Sequence, residues 1–191
     1  QGEKIACLLV EPVAANMGVV LPEKGFLEFL REITKKYGTV LIFDEVITGF
    51  RLGLGGAQAY YGVTPDMTVL GKIVGGGMPL AVYGGKREIM DWVAPVGKVY
   101  QAGTLSGNPI ATTAGIATLS VLMEHEEIYR EIESKAGMLA EAYRRSGKVW
   151  VNQAGSLLSA FFTETPVRDY DSAVTSDGKT FGAYFRHMLA H

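Results

Sequence analysis

The chain has 191 residues, 48% of them hydrophobic and 20% charged, and its 18 basic and 20 acidic side chains leave a net charge of −2. That composition excludes a disordered or collagen-like chain, and scattered basic residues give no footprint for nucleic acid and no polybasic membrane surface. Cys7 is the only cysteine, so no disulfide closes within the chain, and with three scattered histidines there is no zinc constellation.

Ile5-Ala6-Cys7-Leu8-Leu9-Val10 is a continuous apolar run ending at Glu11-Pro12, the pattern of a strand buried on both faces of a mostly parallel sheet. Pro22 then predicts a helix start, and Phe26, Leu27, Phe29, Leu30, Ile33 and Tyr37 form its apolar stripe up to Gly38. Val40-Leu41-Ile42-Phe43 is a second buried strand, so the segment reads as a β-α-β unit. In such sheets the carboxyl ends of the strands face the ligand crevice, which singles out Glu11, Asn16, Asp44 and Glu45; Glu45 is expected to be structural.

Glycine is in excess, 24 residues, and 14 of them lie between Gly49 and Gly107, where the chain needs a permissive backbone. Within that stretch a short helix is expected near 57–61, a third strand over 67–70 ending at Gly71-Lys72, a fourth over 80–83, and a helix over 86–92. Neither nucleotide loop fits. Gln58 stands where the dinucleotide fingerprint needs Gly or Ala, and Leu80 and Arg87 occupy the first-glycine and Ser/Thr positions of a P-loop. Asn108-Pro109 opens a long helix rich in Ala and Thr to about Met123, a second follows over roughly 126–145, and an α+β layer closes the chain with strands near 149–151 and 156–162 and a helix from Thr180. His125-Glu126-Glu127-Ile128-Tyr129 starts like a zincin helix but has Tyr129 in place of the second histidine, and reads as a solvated helix start. No apolar run approaches the ~18 residues of a membrane span and no signal peptide is visible, so a cytosol-like compartment is expected. The opening at Gln1 before a strand and the stop at His191 inside a helical pattern suggest a fragment of a longer protein.

Lys72 follows an apolar strand and precedes Ile73-Val74 and three glycines. A desolvated amine there has a lowered pKa suited to imine chemistry with a carbonyl, although a lone lysine at a strand end is more often a snorkelling one. Asp44 shifts that balance. A carboxylate at the end of a buried strand needs a cationic partner, and one beside the pyridine nitrogen of pyridoxal phosphate held by Lys72 would keep that nitrogen protonated.

Glu11-Pro12-Val13-Ala14-Ala15-Asn16-Met17-Gly18, Phe43-Asp44-Glu45-Val46-Ile47-Thr48-Gly49-Phe50-Arg51, Leu70-Gly71-Lys72 with Gly75-Gly76-Gly77, and Gln101-Ala102-Gly103-Thr104-Leu105-Ser106-Gly107-Asn108-Pro109 resemble the class III pyridoxal-phosphate aminotransferases over nearly the whole chain. The run from Val93-Ala94-Pro95 to Pro109, with Thr165-Pro166-Val167-Arg168-Asp169-Tyr170, is most similar to an aminomutase branch that isomerises a small amino-aldehyde. The resemblance implies a fold-type I α/β enzyme. Residues 1–123 would be the second half of the large, mostly parallel cofactor-binding domain, and 124–191 the linking helix and part of a smaller α+β C-terminal domain.

It further implies that Lys72 carries the cofactor as an imine and shuttles protons, Asp44 binds the pyridine nitrogen, Val46 presses on one ring face and Asn16 reaches the ring hydroxyl. Thr104 would hold the phosphate of the neighbouring subunit's cofactor in a homodimer. The cofactor would alternate between pyridoxal 5'-phosphate and its pyridoxamine form, with no metal, nucleic-acid or membrane partner, in the cytoplasm or, in a plant, the plastid. The family's phosphate loop, ring-stacking aromatic and mobile active-site loop precede Gln1, so the fragment alone is expected to be inactive. Ala81-Val82 stands where the family has a glycine-containing pair. An ω-aminotransferase with a separate amino acceptor, and a non-catalytic dimerisation module, remain open alternatives.

Overall fold

The computed structural model describes residues 2–191. It divides into two compact units, one running to Pro12 and resuming over Lys24–Ile128, the other formed by Val13–Glu23 and Tyr129–His191. The sequence reading places 1–123 together, whereas here the short segment Val13–Glu23 packs with the C-terminal residues.

The first unit is built on a sheet of β1 (Cys7–Val10), β2 (Val40–Glu45), β3 (Met67–Leu70) and β4 (Val82–Gly85), in that spatial order. The first three strands are parallel and β4 runs antiparallel to β3. Between β1 and β2 lies α1 (Phe26–Tyr37). It starts after Gly25 at φ 86, three residues beyond Pro22, and stops at Gly38, whose left-handed φ of 67 returns its N–H to Thr34 and Lys35. Leu27 and Leu30 face the sheet and meet Leu41, Phe43 and Val63 in one core cluster. Leu41 and Phe43 are fully buried, each contributing about 2 kcal/mol of apolar burial.

β2 alternates strictly, with Leu41, Phe43 and Glu45 buried and Val40, Ile42 and Asp44 half-buried on the other face. β1 departs from expectation. It is the edge strand, and Leu9 is 61% exposed, so its apolar run is not buried on both faces. With a single strand neighbour and α1 on one side only, half of that run has nothing in this unit to pack on.

Asp66, entering β3, ties together the start of β2, the middle of α1 and the residue that follows β4. Its carboxylate accepts hydrogen bonds from Arg31 at 2.9 Å and Leu41 N–H at 2.8 Å, and Lys86 lies at 2.7 Å. Burial pushes this carboxyl up, but the hydrogen bonds from Arg31, Lys86 and the Leu41 N–H pull further the other way and leave it at about 2 against an ordinary 3.8. The folded pKa is therefore the lower one, so the network's stabilisation is in place above the unfolded value near 4 and is lost as pH falls towards 2. Asp66→Asn is expected to lower stability at pH 7 by about 3 kcal/mol, because the Arg31 guanidinium, mostly buried, keeps its charge without its partner. Urea unfolding at pH 7 and pH 3 measures this, and an unchanged midpoint at pH 7 would refute it.

After β3 come a 3-10 turn over Lys72–Gly75, β4, the short α3 (Arg87–Met90) and α4 (Pro109–Glu124). Asn108 caps α4, its side chain accepting from Ile110 and Ala111 N–H at 3.0 and 3.2 Å, with Pro109 at the first helical position. α4 is apolar all round yet buries only Ala111 and Gly115, leaving Ile110, Ile116, Val121 and Met123 exposed.

The second unit holds most of α5 (Glu127–Arg145), the hairpin β5 (Trp150–Ala154) and β6 (Leu157–Phe161), α6 (Tyr170–Ala173) and α7 (Gly178–Ala190). Val20, Phe161, Val167 and Ala173 are its core. The segment 13–23 is held there because Asn152 donates to Val19 and Val167 carbonyls at 2.9 Å each, and Val19 N–H donates to Ser159 Oγ at 3.0 Å. Phe161 also covers Gly18, which at φ 89 leaves no room for a side chain. α6, absent from the sequence reading, is set by a capping box in which Asp169 and Ser172 exchange hydrogen bonds.

Candidate active site

Asp44 and Lys72 come from adjacent parallel strands. The register sets Asp44 opposite Val69 and Glu45 opposite Leu70, so Lys72 follows two residues past the end of β3, at the same carboxyl edge that β2 reaches with Asp44. This is where ligands bind in open α/β sheets. Lys72 opens the 3-10 turn and is exposed, so the desolvation expected for its amine is not supplied by its neighbours in this unit. It makes no ion pair among the described residues. Its φ is 48, and with Phe50 it is one of two non-glycine residues at positive φ among the described residues; such a conformation costs about 1–2 kcal/mol and persists only where the surroundings impose it.

Asp44 is half-buried, and its Oδ1 accepts the N–H of Val46 at 3.0 Å, which folds the chain over at the end of β2 and leaves Oδ2 open. Val46 in turn rests on bare backbone. A Cβ built on Gly71 would stand 3.1 Å from Val46 Cγ1, so a side chain there would press Val46 back by a few tenths of an ångström, and glycine lets it sit this close to the residue before Lys72. Asp44, Val46 and Lys72 are thus brought together by register and by one glycine.

Glu45 points the other way and is fully buried. Its carboxylate accepts from Ala57 N–H at 2.5 Å, Gln58 N–H at 3.2 Å, Gln58 Nε2 at 3.1 Å and Thr48 Oγ1 at 3.0 Å. It caps α2 (Gly56–Tyr61) from a distance and anchors the end of the strand that carries Asp44. A side chain on Gly56 would run into this carboxylate, so part of the glycine cluster makes room for Glu45.

On the face shared by Asp44, Val69 and Tyr83, a cavity of about 530 Å³ opens between β3, β4 and the loop before α4; Val69, Tyr83, Gly103, Leu105 and Ser106 line it. Thr104 is exposed in that loop, and its flanking residues Gly103 and Leu105 line the same cavity as Val69, the strand neighbour of Asp44. Asn16 belongs to the second unit, exposed in the tight turn whose ends are bridged by Ala14 and Val20. Glu45 is structural, as its sequence setting predicts, whereas Tyr83 has no part in the sequence-based expectation for the site. Tyr83 depends on the antiparallel register of β4, which no local pattern gives.

The same fold occurs in a β-phenylalanine aminotransferase from Variovorax paradoxus, with a TM-score of 0.90 at 32% identity over 99% of this chain and 45% of that one. A glutamate-1-semialdehyde aminomutase from Pseudomonas aeruginosa PAO1 in complex with PMP matches with a TM-score of 0.80 at 29% identity, over 92% of this chain and 42% of that one. The fold is thus the α/β fold of these aminotransferase structures. The family model for class-III aminotransferases matches residues 1–187, and the chain belongs to that family, whose cofactor is pyridoxal 5'-phosphate. At the level of sequence it is 56% identical over 194 residues to a glutamate-1-semialdehyde 2,1-aminomutase from Natranaerobius thermophilus, covering 99% of this chain and 45% of that protein. The chain therefore spans less than half the length of the curated relative it matches. Among the described residues no helix is long and apolar enough to cross a membrane.

Proposed function

We propose that this chain is the lysine-bearing part of a glutamate-1-semialdehyde 2,1-aminomutase, which isomerises glutamate 1-semialdehyde to 5-aminolevulinate in tetrapyrrole synthesis in the cytoplasm or plastid. The observation that carries the reading is the placing of Asp44 and Lys72 at the carboxyl ends of neighbouring parallel strands, in a chain 56% identical to such an enzyme. The residues fit the cofactor. Lys72 offers an amine free of ion pairs among the described residues, Asp44 an open carboxylate oxygen, and Gly71 a backbone close enough for Val46 to form a wall.

Pyridoxal phosphate, when bound, supplies an electrophilic carbonyl and a ring that accepts electrons. Lys72 holds it through Nζ and moves protons at the same atom as general acid and base. By the family resemblance, Asp44 would keep a proton on the ring nitrogen, Val46 would bound one ring face and Asn16 would reach the ring hydroxyl. Thr104 binds the phosphate of the neighbouring subunit's cofactor through its hydroxyl and backbone N–H. A homodimer also accounts for α4, since a helix apolar all round belongs in an interior, and its exposed Ile110, Ile116 and Val121 give a second copy a surface to cover.

An aminomutase returns nitrogen to the neighbouring carbon of the same substrate, so the full-length protein is expected to convert the semialdehyde at full rate with no keto acid added, as a dimer by light scattering. The likeness to a β-phenylalanine aminotransferase keeps a second reading in view, an ω-aminotransferase using the same Asp44 and Lys72. Strict dependence of turnover on an added keto acid would establish that reading instead. A non-catalytic dimerisation module would bind cofactor without fixing it to Lys72 on borohydride reduction.

A further inference from the structure

The left-handed backbone of Lys72 needs something to hold it. The turn's own hydrogen bonds, Val74 N–H to Gly71 O at 3.2 Å and Gly76 N–H to Ile73 O at 3.0 Å, close the turn without fixing where it lies. What lies against it is α4, and at the crossing the backbone of each segment meets the backbone of the other. Gly115, buried in the middle of α4, faces the carbonyl of Val74 so closely that no real Cβ could stand between them. Gly76, at φ 58, faces the carbonyl of Ala114, and a Cβ there would lie 2.5 Å from that oxygen and 2.5 Å from Thr118 Oγ1. Each glycine receives the other segment's carbonyl. Val74, in the turn, and Ala111, one helical turn before Gly115, are both buried.

Gly115 is the single glycine of α4, whose neighbouring positions are Ala111, Thr112, Thr113, Ala114, Ala117 and Thr118. A glycine inside a helix is less stable than alanine, so its presence calls for a close approach that alanine would forbid. Gly137 in α5 is the contrast. A Cβ there meets its nearest atom, Gln153 Nε2, at 3.9 Å, so alanine fits without adjustment.

We infer that Gly115 and Gly76 form a backbone-to-backbone clasp between α4 and the Lys72 turn, and that Gly115 is a positioning residue which sets the reach of the Lys72 amine through the Val74 carbonyl. The inference rests on the reading of Lys72 as the cofactor lysine.

The test uses the full-length protein, freed of cofactor, with Gly115→Ala and with Gly137→Ala as control. In the crystal structure of cofactor-free Gly115→Ala, the turn is expected to stand about 1 Å further from α4, with Lys72 out of the left-handed region; displacements of this size cost about 100-fold in rate. Added pyridoxal phosphate condenses with the Lys72 amine, water leaves, and borohydride followed by peptide mass reads the link. Its rate of formation per folded molecule, and kcat with it, are expected to fall about 100-fold with KM little changed. Gly137→Ala should leave all of these as they were. Should Gly115→Ala not fold, Val74→Ala keeps both glycines but thins the buried side of the turn, and about a tenfold slower link is expected. A turn that stays in place, or a link formed at the unsubstituted rate in the variant that folds, overturns the inference. Cofactor fixed elsewhere than Lys72 in the unsubstituted protein overturns the underlying reading and the positioning role with it, and is told apart because the crystallographic shift is measured without cofactor.

Discussion

Lys72→Ala in the full-length protein is expected to abolish the borohydride-fixed cofactor link and to lower turnover by at least about 1000-fold, while leaving the unfolding midpoint nearly unchanged. The two effects separate because of where Lys72 sits. Its side chain is exposed and makes no ion pair among the described residues, so removing it forfeits little packing, and a substitution of that kind shifts stability by no more than about 0.5 kcal/mol. Alanine meets the same backbone demand at φ 48 as lysine does, so the turn keeps the strain it already has. The amine, by contrast, is asked to do two things at one atom, hold the cofactor and carry protons, and no other described residue at this strand end offers a second amine. Peptide mass after borohydride, a semialdehyde turnover assay and a urea titration report the three quantities in turn. A link that survives the substitution would mean that another lysine holds the cofactor.

The elements nearest the site were legible in the sequence because their patterns are local. The apolar run of β2, the glycine stop of α1 and the Asn-Pro start of α4 each need only a few neighbouring residues to be read, and each lies within a few residues of where it was expected. What was not legible depends on partners far along the chain. β1 reads as doubly buried because its six apolar residues are consistent with burial, yet burial is decided by what else is present, and Leu9 is exposed. The same reasoning misjudged Lys72, whose apolar neighbours suggested desolvation that this unit does not provide. Val13–Glu23 carries no mark of joining the second unit, since the hydrogen bonds of Asn152 and Ser159 that hold it there come from more than 130 residues away. Glycine was the informative residue throughout. Its clustering announced close approaches, but only geometry shows that Gly71 admits Val46, Gly56 admits the Glu45 carboxylate and Gly115 admits the Val74 carbonyl.

Asp44→Asn is expected to lower turnover by about 100- to 1000-fold while leaving cofactor fixed to Lys72, which distinguishes it from Lys72→Ala, where the link is lost as well. The magnitude follows from charge. A carboxylate within contact of a ring nitrogen raises that nitrogen's pKa by about 1–3 units, and each unit is about tenfold in the protonated population once the pKa falls below the working pH. Asparagine removes the charge but keeps a carbonyl oxygen where Asp44 Oδ1 accepts the Val46 N–H at 3.0 Å, so the chain reversal at the end of β2 is preserved. Asp44→Ala loses that acceptor as well and is expected to be less stable by about 1 kcal/mol, a cost that Asn avoids. Turnover that recovers as the pH is lowered, in the Asn variant alone, would mark the missing proton directly, because solvent then supplies what the carboxylate no longer holds. If Asn keeps more than a third of the turnover at pH 7, Asp44 serves as a strand-end cap for Val46, and the role assigned to its charge must be given up.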